Sequence, residues 1–71
     1  MSAKPRFKVG DTVYGKPIIV IWPGKIIEVF SAETTERKIP AYIVCFENWG
    51  EAGRYEDELY ATEKEANEAN H

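Results

Sequence analysis

Apolar residues fall along this chain in short runs separated by turn chemistry, and most have the character of strands rather than helices. Val9 and Val13 flank the turn signal Gly10-Asp11, which predicts a first strand over residues 7–14 entered through a tight bend. The richest apolar segment, residues 18–30, is interrupted at Pro23-Gly24. Proline has no N–H to give a ladder and glycine tolerates bending, so a long curved strand or a bulge is predicted there. Residues 31–38 are polar and charged, carry no apolar periodicity and lead to Pro40, the pattern of a loop. Ala-Tyr-Ile-Val-Cys-Phe at residues 41–46 is the strongest strand signal, being mostly β-branched and aromatic. Residues 48–53 turn the chain, and residues 54–60 supply a short last strand or one helical turn. Thr62-Glu63-Lys64-Glu65 has the spacing of a capping box. The helix it opens has only alanines as apolar members, so fraying is predicted beyond Ala66.

Short, regularly spaced strands followed by one small helix predict an all-β chain, a five-stranded SH3-like barrel of chromo-barrel or Tudor-like shape with a short C-terminal helix. Residues 1–6 then form a flexible N-terminal arm, 7–62 the barrel domain, and 63–71 the helix and tail. The expected core is Val9, Val13, Ile26, Ile27, Val29, Ile43, Cys45 and Leu59. Alternation along residues 41–46 puts Ile43 and Cys45 on one face and Tyr42, Val44 and Phe46 on the other. Both faces are apolar, so one of them meets something other than the main core.

Composition narrows the functional classes. A chain of 71 residues buries a small core and leaves no room for a deep cleft. Its single cysteine, Cys45, excludes an internal disulfide and a thiolate metal cage, and reads as a small buried hydrophobe in a reducing compartment. The only histidine is the terminal His71, so neither a nucleophile–base pair nor a histidine-rich metal site is expected; no cofactor and no enzyme activity are predicted. Neither a signal peptide nor a membrane span is legible, which predicts a soluble intracellular protein. The net charge of −3 is unevenly placed, with Glu47, Glu51, Glu56, Asp57, Glu58, Glu63, Glu65 and Glu68 crowding the C-terminal part. A negative end attracts basic peptides and disfavours bulk nucleic acid, leaving only the short arm Lys4, Arg6, Lys8 to touch a phosphate.

Two tryptophans, four tyrosines and three phenylalanines are more aromatic surface than a barrel of this size readily buries. Trp22 stands beside the Pro23-Gly24 break, Phe46 ends the third strand, Trp49 lies in the following turn and Tyr55 begins the next element. Rings meeting at one rim would attract a methylated ammonium at roughly 0.5–2 kcal/mol per well-placed ring. The same tryptophans would equally serve to cap the ends of a core. Glu47 and Glu51 flank the cluster as acceptors for a peptide or as solvated turn residues.

The stretch Arg37-Lys38-Ile39-Pro40-Ala41-Tyr42-Ile43-Val44-Cys45-Phe46-Glu47-Asn48-Trp49 resembles the chromo-barrel domains of male-specific-lethal and MRG-type subunits of histone acetyltransferase and deacetylase complexes. Phe7 with Gly10-Asp11-Thr12-Val13 looks like that family's opening strand, Ile21-Trp22-Pro23-Gly24-Lys25-Ile26-Ile27-Glu28-Val29 like its second, and Glu56-Asp57-Glu58-Leu59 like the segment before its helix. The resemblance implies a nuclear, monomeric chromatin module that reads methylated lysine on a histone tail, with Trp22, Phe46 and Trp49 as cage walls. Gly53 stands where the family has a further aromatic, in a shorter turn, and Tyr55 is the expected substitute.

Gly10-Asp11-Thr12-Val13-Tyr14-Gly15-Lys16 with Trp22-Pro23-Gly24-Lys25-Ile26 also resembles the strand pair of PWWP domains, nucleosome readers with a basic DNA-binding face that this charge does not supply. A chain of this length also suits the SH3-like plasmid-borne type of dihydrofolate reductase, but that family's Val-Gln-Ile-Tyr segment is missing. A third class is a barrel without a working cage, whose rings form an apolar patch for a partner subunit.

Overall fold

The computed structural model describes residues 4–69, so part of the expected arm, the end of the tail and His71 lie outside the described residues. Four strands, β1 (Thr12–Gly15), β2 (Trp22–Phe30), β3 (Ala41–Phe46) and β4 (Gly50–Tyr55), form one antiparallel sheet in the order β1-β2-β3-β4. Single 3₁₀ turns occupy Ala32–Thr34 and Glu56–Glu58, and the helix α1 spans Glu63–Ala69. Four strands in an open order are found among the described residues where five in a closed barrel were expected. Residues 48–53, expected to turn the chain, hold most of β4, and residues 54–60, expected as a short last strand or one helical turn, give the end of β4, the 3₁₀ turn and a bridge, in which Tyr14 N–H donates to the Tyr60 carbonyl at 2.8 Å and Tyr60 N–H returns a bond to Tyr14 at 2.9 Å.

One face of the sheet carries the core: Phe7, Val13, Ile26, Tyr42, Val44, Phe46 and Leu59 are buried, with Trp22, Val29 and Ala52 packed against them. Tyr42, Val44 and Phe46 therefore point inward, while Cys45 is exposed and Ile43 only half-buried, opposite to the expected facing. Alternation requires one set to face out, and two aromatic rings with a valine remove more apolar surface from water than an isoleucine with a cysteine. Val9, expected in the core, lies exposed before Gly10. Ile27 is also exposed, because the pairing of β2 with β3 slips between Ile26 and Glu28 and makes Ile27 the extra residue of a bulge.

The interruption at Pro23-Gly24 does not break β2, which starts at Trp22 and runs through both residues. Pro23 has no N–H to offer, but its carbonyl accepts from Glu47 N–H at 3.1 Å. Gly24 is required by close approach: a Cβ there would lie 2.6 Å from Val44 Cγ1 and 3.1 Å from the Cys45 carbonyl oxygen. Residues 18–21, expected to begin the strand, instead form most of the loop between β1 and β2. The capping signal is realised, since Thr62 Oγ1 accepts from Glu65 N–H at 3.1 Å and Glu65 Oε2 accepts from Ala61 N–H at 3.2 Å. The helix continues past Ala66 to Ala69, and the complete burial of Ala66 gives it the tertiary anchor that its own sequence lacks.

Candidate interaction surface

Strand directions decide which side chains can meet. β1 ends at Gly15, paired with Trp22 at the start of β2, and β3 ends at Phe46, paired with Gly50 at the start of β4. The loop of residues 16–21 and the turn of residues 47–49 therefore lie at the same end of the sheet. In that turn Asn48 has φ 63° and Gly50 φ 95°, left-handed conformations that asparagine and glycine accept readily, and Trp49 N–H closes onto the Phe46 carbonyl at 3.0 Å.

The sequence-predicted aromatics divide. Trp22 and Trp49 are both at this end. Trp22 is half-buried against the core and its Nε1–H donates to the Glu47 carbonyl, so the ring fastens the start of β2 to the following turn. Trp49 is 51% exposed. Phe46 reaches the same end of the sheet but points into the core, where only 1% of it is accessible. Tyr55 pairs with Ala41 at the opposite end of β4, about 17 Å away along the strand, and the Arg37 guanidinium covers its ring at 4.7 Å. Glu47 is exposed beside Trp22 and Trp49, whereas Glu51 is exposed on the outward face of β4, across from Cys45. Gly53 pairs with Ile43, also within β4 and away from the turn.

The residues that sequence reasoning missed are aliphatic. Ile18, Ile19 and Val20 are 61%, 79% and 51% exposed at the tip of the β1–β2 loop. Isoleucine and valine leave water in a folded protein unless something else holds them there, and here the base of the loop is held. Arg54 Nη2 donates to the Lys16 carbonyl at 3.0 Å and the Pro17 carbonyl at 3.1 Å, while its Nη1 binds the Gly53 carbonyl at 2.6 Å. The guanidinium also lies 5.8 Å from the centre of the Phe46 ring. Arg54 thus pins the loop to β4 and leaves its apolar tip to solvent. A signal was present in the bracketing Pro17 and Pro23, around a β-branched run with no alternating polar positions to mark a half-buried strand.

Three consecutive exposed aliphatics and an exposed tryptophan share this end of the sheet. The polar groups nearest them, the Trp22 indole N–H and the Glu47 and Pro23 carbonyls, are already engaged with one another or with the turn. Among the described residues, no helix is long and apolar enough to cross a membrane. No family model, curated protein or solved structure matches the chain.

Proposed function

We propose that this chain is a non-enzymatic protein-interaction module, a strongly bent SH3-like barrel whose apolar end docks on a partner protein through Ile18, Ile19, Val20 and Trp49 beside Trp22. The barrel reading rests on two links from one edge of the sheet toward the other: the Tyr14–Tyr60 bridge outside β1, and Arg54 of β4 holding the carbonyls that follow β1. The interaction reading rests on a single observation, three consecutive aliphatic side chains held exposed on an anchored loop. Tryptophan is among the residues enriched at interface hot spots.

A photo-crosslinking residue at position 19, compared with one at position 33 on the far side of the sheet, tests this reading. A single protein partner captured from position 19 alone, and lost from an Ile18→Asp, Val20→Asp chain that still folds, is the expected result. Binding of the isolated chain to zwitterionic or anionic lipid vesicles, abolished by the same substitutions and without a protein partner, overturns it.

A second reading is favoured by the placement of Trp22, Glu47 and Trp49 at one end. In it these residues read a methylated lysine of a histone tail, with Phe46 as a buried support, in a chromatin complex of the acetyltransferase or deacetylase type. NMR titration with methylated and unmethylated histone peptides separates the two: methyl-dependent shifts at Trp22 and Trp49 support the reader, and equal or absent shifts leave the apolar docking module.

A further inference from the structure

The face of the sheet turned away from the core has its own pattern. Thr12, Lys25, Cys45 and Glu51 are successive partners across β1, β2, β3 and β4, and all four are exposed. The row therefore runs from a cation on β2, through a small thiol on β3, to an anion on β4. Neither the Lys25 nor the Glu51 side chain pairs with another described residue, because the width of two strand spacings, about 9.6 Å, separates their backbones. Along the strands, the next outward position on β3 is half-buried Ile43, whose partner on β2 is exposed Glu28, next to exposed Ile27 of the bulge, and whose partner on β4 is Gly53. A Cβ built on Gly53 would have only Ile43 Cδ1 within 4 Å, at 3.9 Å, so there is open space above it. Thr12, Pro23, Gly24, Lys25, Ile27, Cys45 and Glu47 enclose a largely apolar groove of about 460 Å³ on this face.

We infer that this face pairs with a second copy of the chain about a two-fold axis running parallel to β3 at Cys45. A two-fold in the plane between two packed sheets and along the strands exchanges left and right while preserving direction. It lays Lys25 of one copy over Glu51 of the other, and the bulge of Ile27 and Glu28 of one over the gap at Gly53 of the other. Both relations occur twice, as an isologous interface requires. A two-fold across the strands would instead set Lys25 against Lys25 and Glu51 against Glu51, so the charge pattern selects the first axis. Aligned packing of two sheets at about 10 Å is within reach of a lysine and a glutamate extended toward each other. The Cys45 residues of the two copies then face each other across the axis. The arrangement replaces the monomer expected from sequence and leaves the loop end uncovered. Because the axis preserves strand direction, both loop ends point the same way, and the dimer presents two docking ends side by side.

Sedimentation equilibrium of the whole chain under reducing conditions, with circular dichroism as the check on folding, tests the inference. A dimer is expected, weakened about tenfold or more by Lys25→Glu and by Glu51→Lys, and restored when the two are combined. Gly53→Leu, which has room within one copy, is expected to abolish it. A short bismaleimide, which spans the sheet spacing that a direct disulfide cannot, is expected to join the Cys45 thiols of the two copies in the native chain and not in either charge variant. A monomer at all concentrations, a dimer lost with Ile19→Asp and indifferent to the charge changes, or failure of the double exchange to restore association overturns it.

Discussion

The Tyr42 hydroxyl donates to Glu56 Oε1 at 2.7 Å from the end of a fully buried side chain, and this bond joins the start of β3 to the 3₁₀ turn after β4. The same oxygen pair also holds the N-terminal segment, because Arg6 N–H donates to Tyr42 Oη at 3.1 Å and to Glu56 Oε1 at 2.7 Å, and the Phe7 ring meets the Tyr42 ring edge-on at 5.5 Å.

Burial, and then the bond to Glu56, push the Tyr42 hydroxyl up from 10.0 to about 12. A group whose pKa rises on folding contributes stability that is complete below its unfolded value and lost as pH climbs through its folded one. Denaturant unfolding is expected to show stability falling between pH 10 and about 12. Tyr42→Phe should remove that component of the fall and cost about 1–3 kcal/mol at neutral pH, by taking the acceptor from the buried Phe7 N–H and one donor from the Glu56 carboxylate.

Trp22 and Trp49 should separate cleanly. Trp22→Ala empties a site against the core and is expected to cost about 3–5 kcal/mol in urea unfolding. Trp22→Phe keeps most of the volume but loses the indole bond to Glu47, at about 1 kcal/mol. Trp49→Ala should stay within about 0.5 kcal/mol of the parent while losing partner binding.

Gly24→Ala is expected to destabilise the sheet by about 1–3 kcal/mol, since its new methyl group meets Val44 and the backbone of β3. Adding Val44→Ala should recover part of that loss in the same unfolding assay, because the 2.6 Å contact is with Val44 Cγ1.

Arg54→Met keeps the aliphatic stem and removes the donors that hold the Lys16 and Pro17 carbonyls. Amide hydrogen exchange at residues 18–21 should accelerate, while β3 amides keep their protection. Arg54→Lys should restore little, because one ammonium does not reproduce the planar fork that spans both carbonyls.

The strands of the sheet were legible where residue type alone decides. The β-branched and aromatic run at residues 41–46 is β3 as expected, and Thr62 opens the helix. Its facing was not legible, because both faces of that run are apolar and alternation has no polar residue to orient it. The outcome depended on what the rest of the chain brought to each side: Phe7, Val13 and Leu59 pack on one, while the other receives the Arg37 guanidinium over Tyr55. Ile18, Ile19 and Val20 read as strand because local propensity favours it, yet with Trp22 as the first β2 residue to pair, they lie beyond the ladder. Trp22 and Trp49 share an end of the sheet because both stand at strand ends, whereas the inward facing of Phe46 and the place of Tyr55 along β4 are properties of register.

Pro17 and Pro23 bracket the apolar run at residues 18–22, of which Ile18, Ile19 and Val20 are exposed. A β-rich, uncharged stretch on the surface is a natural template for cross-β growth, but such growth favours six or seven uninterrupted residues, and a proline at either side ends the run short of that. The prolines thus have the placement of gatekeepers around three bare aliphatics.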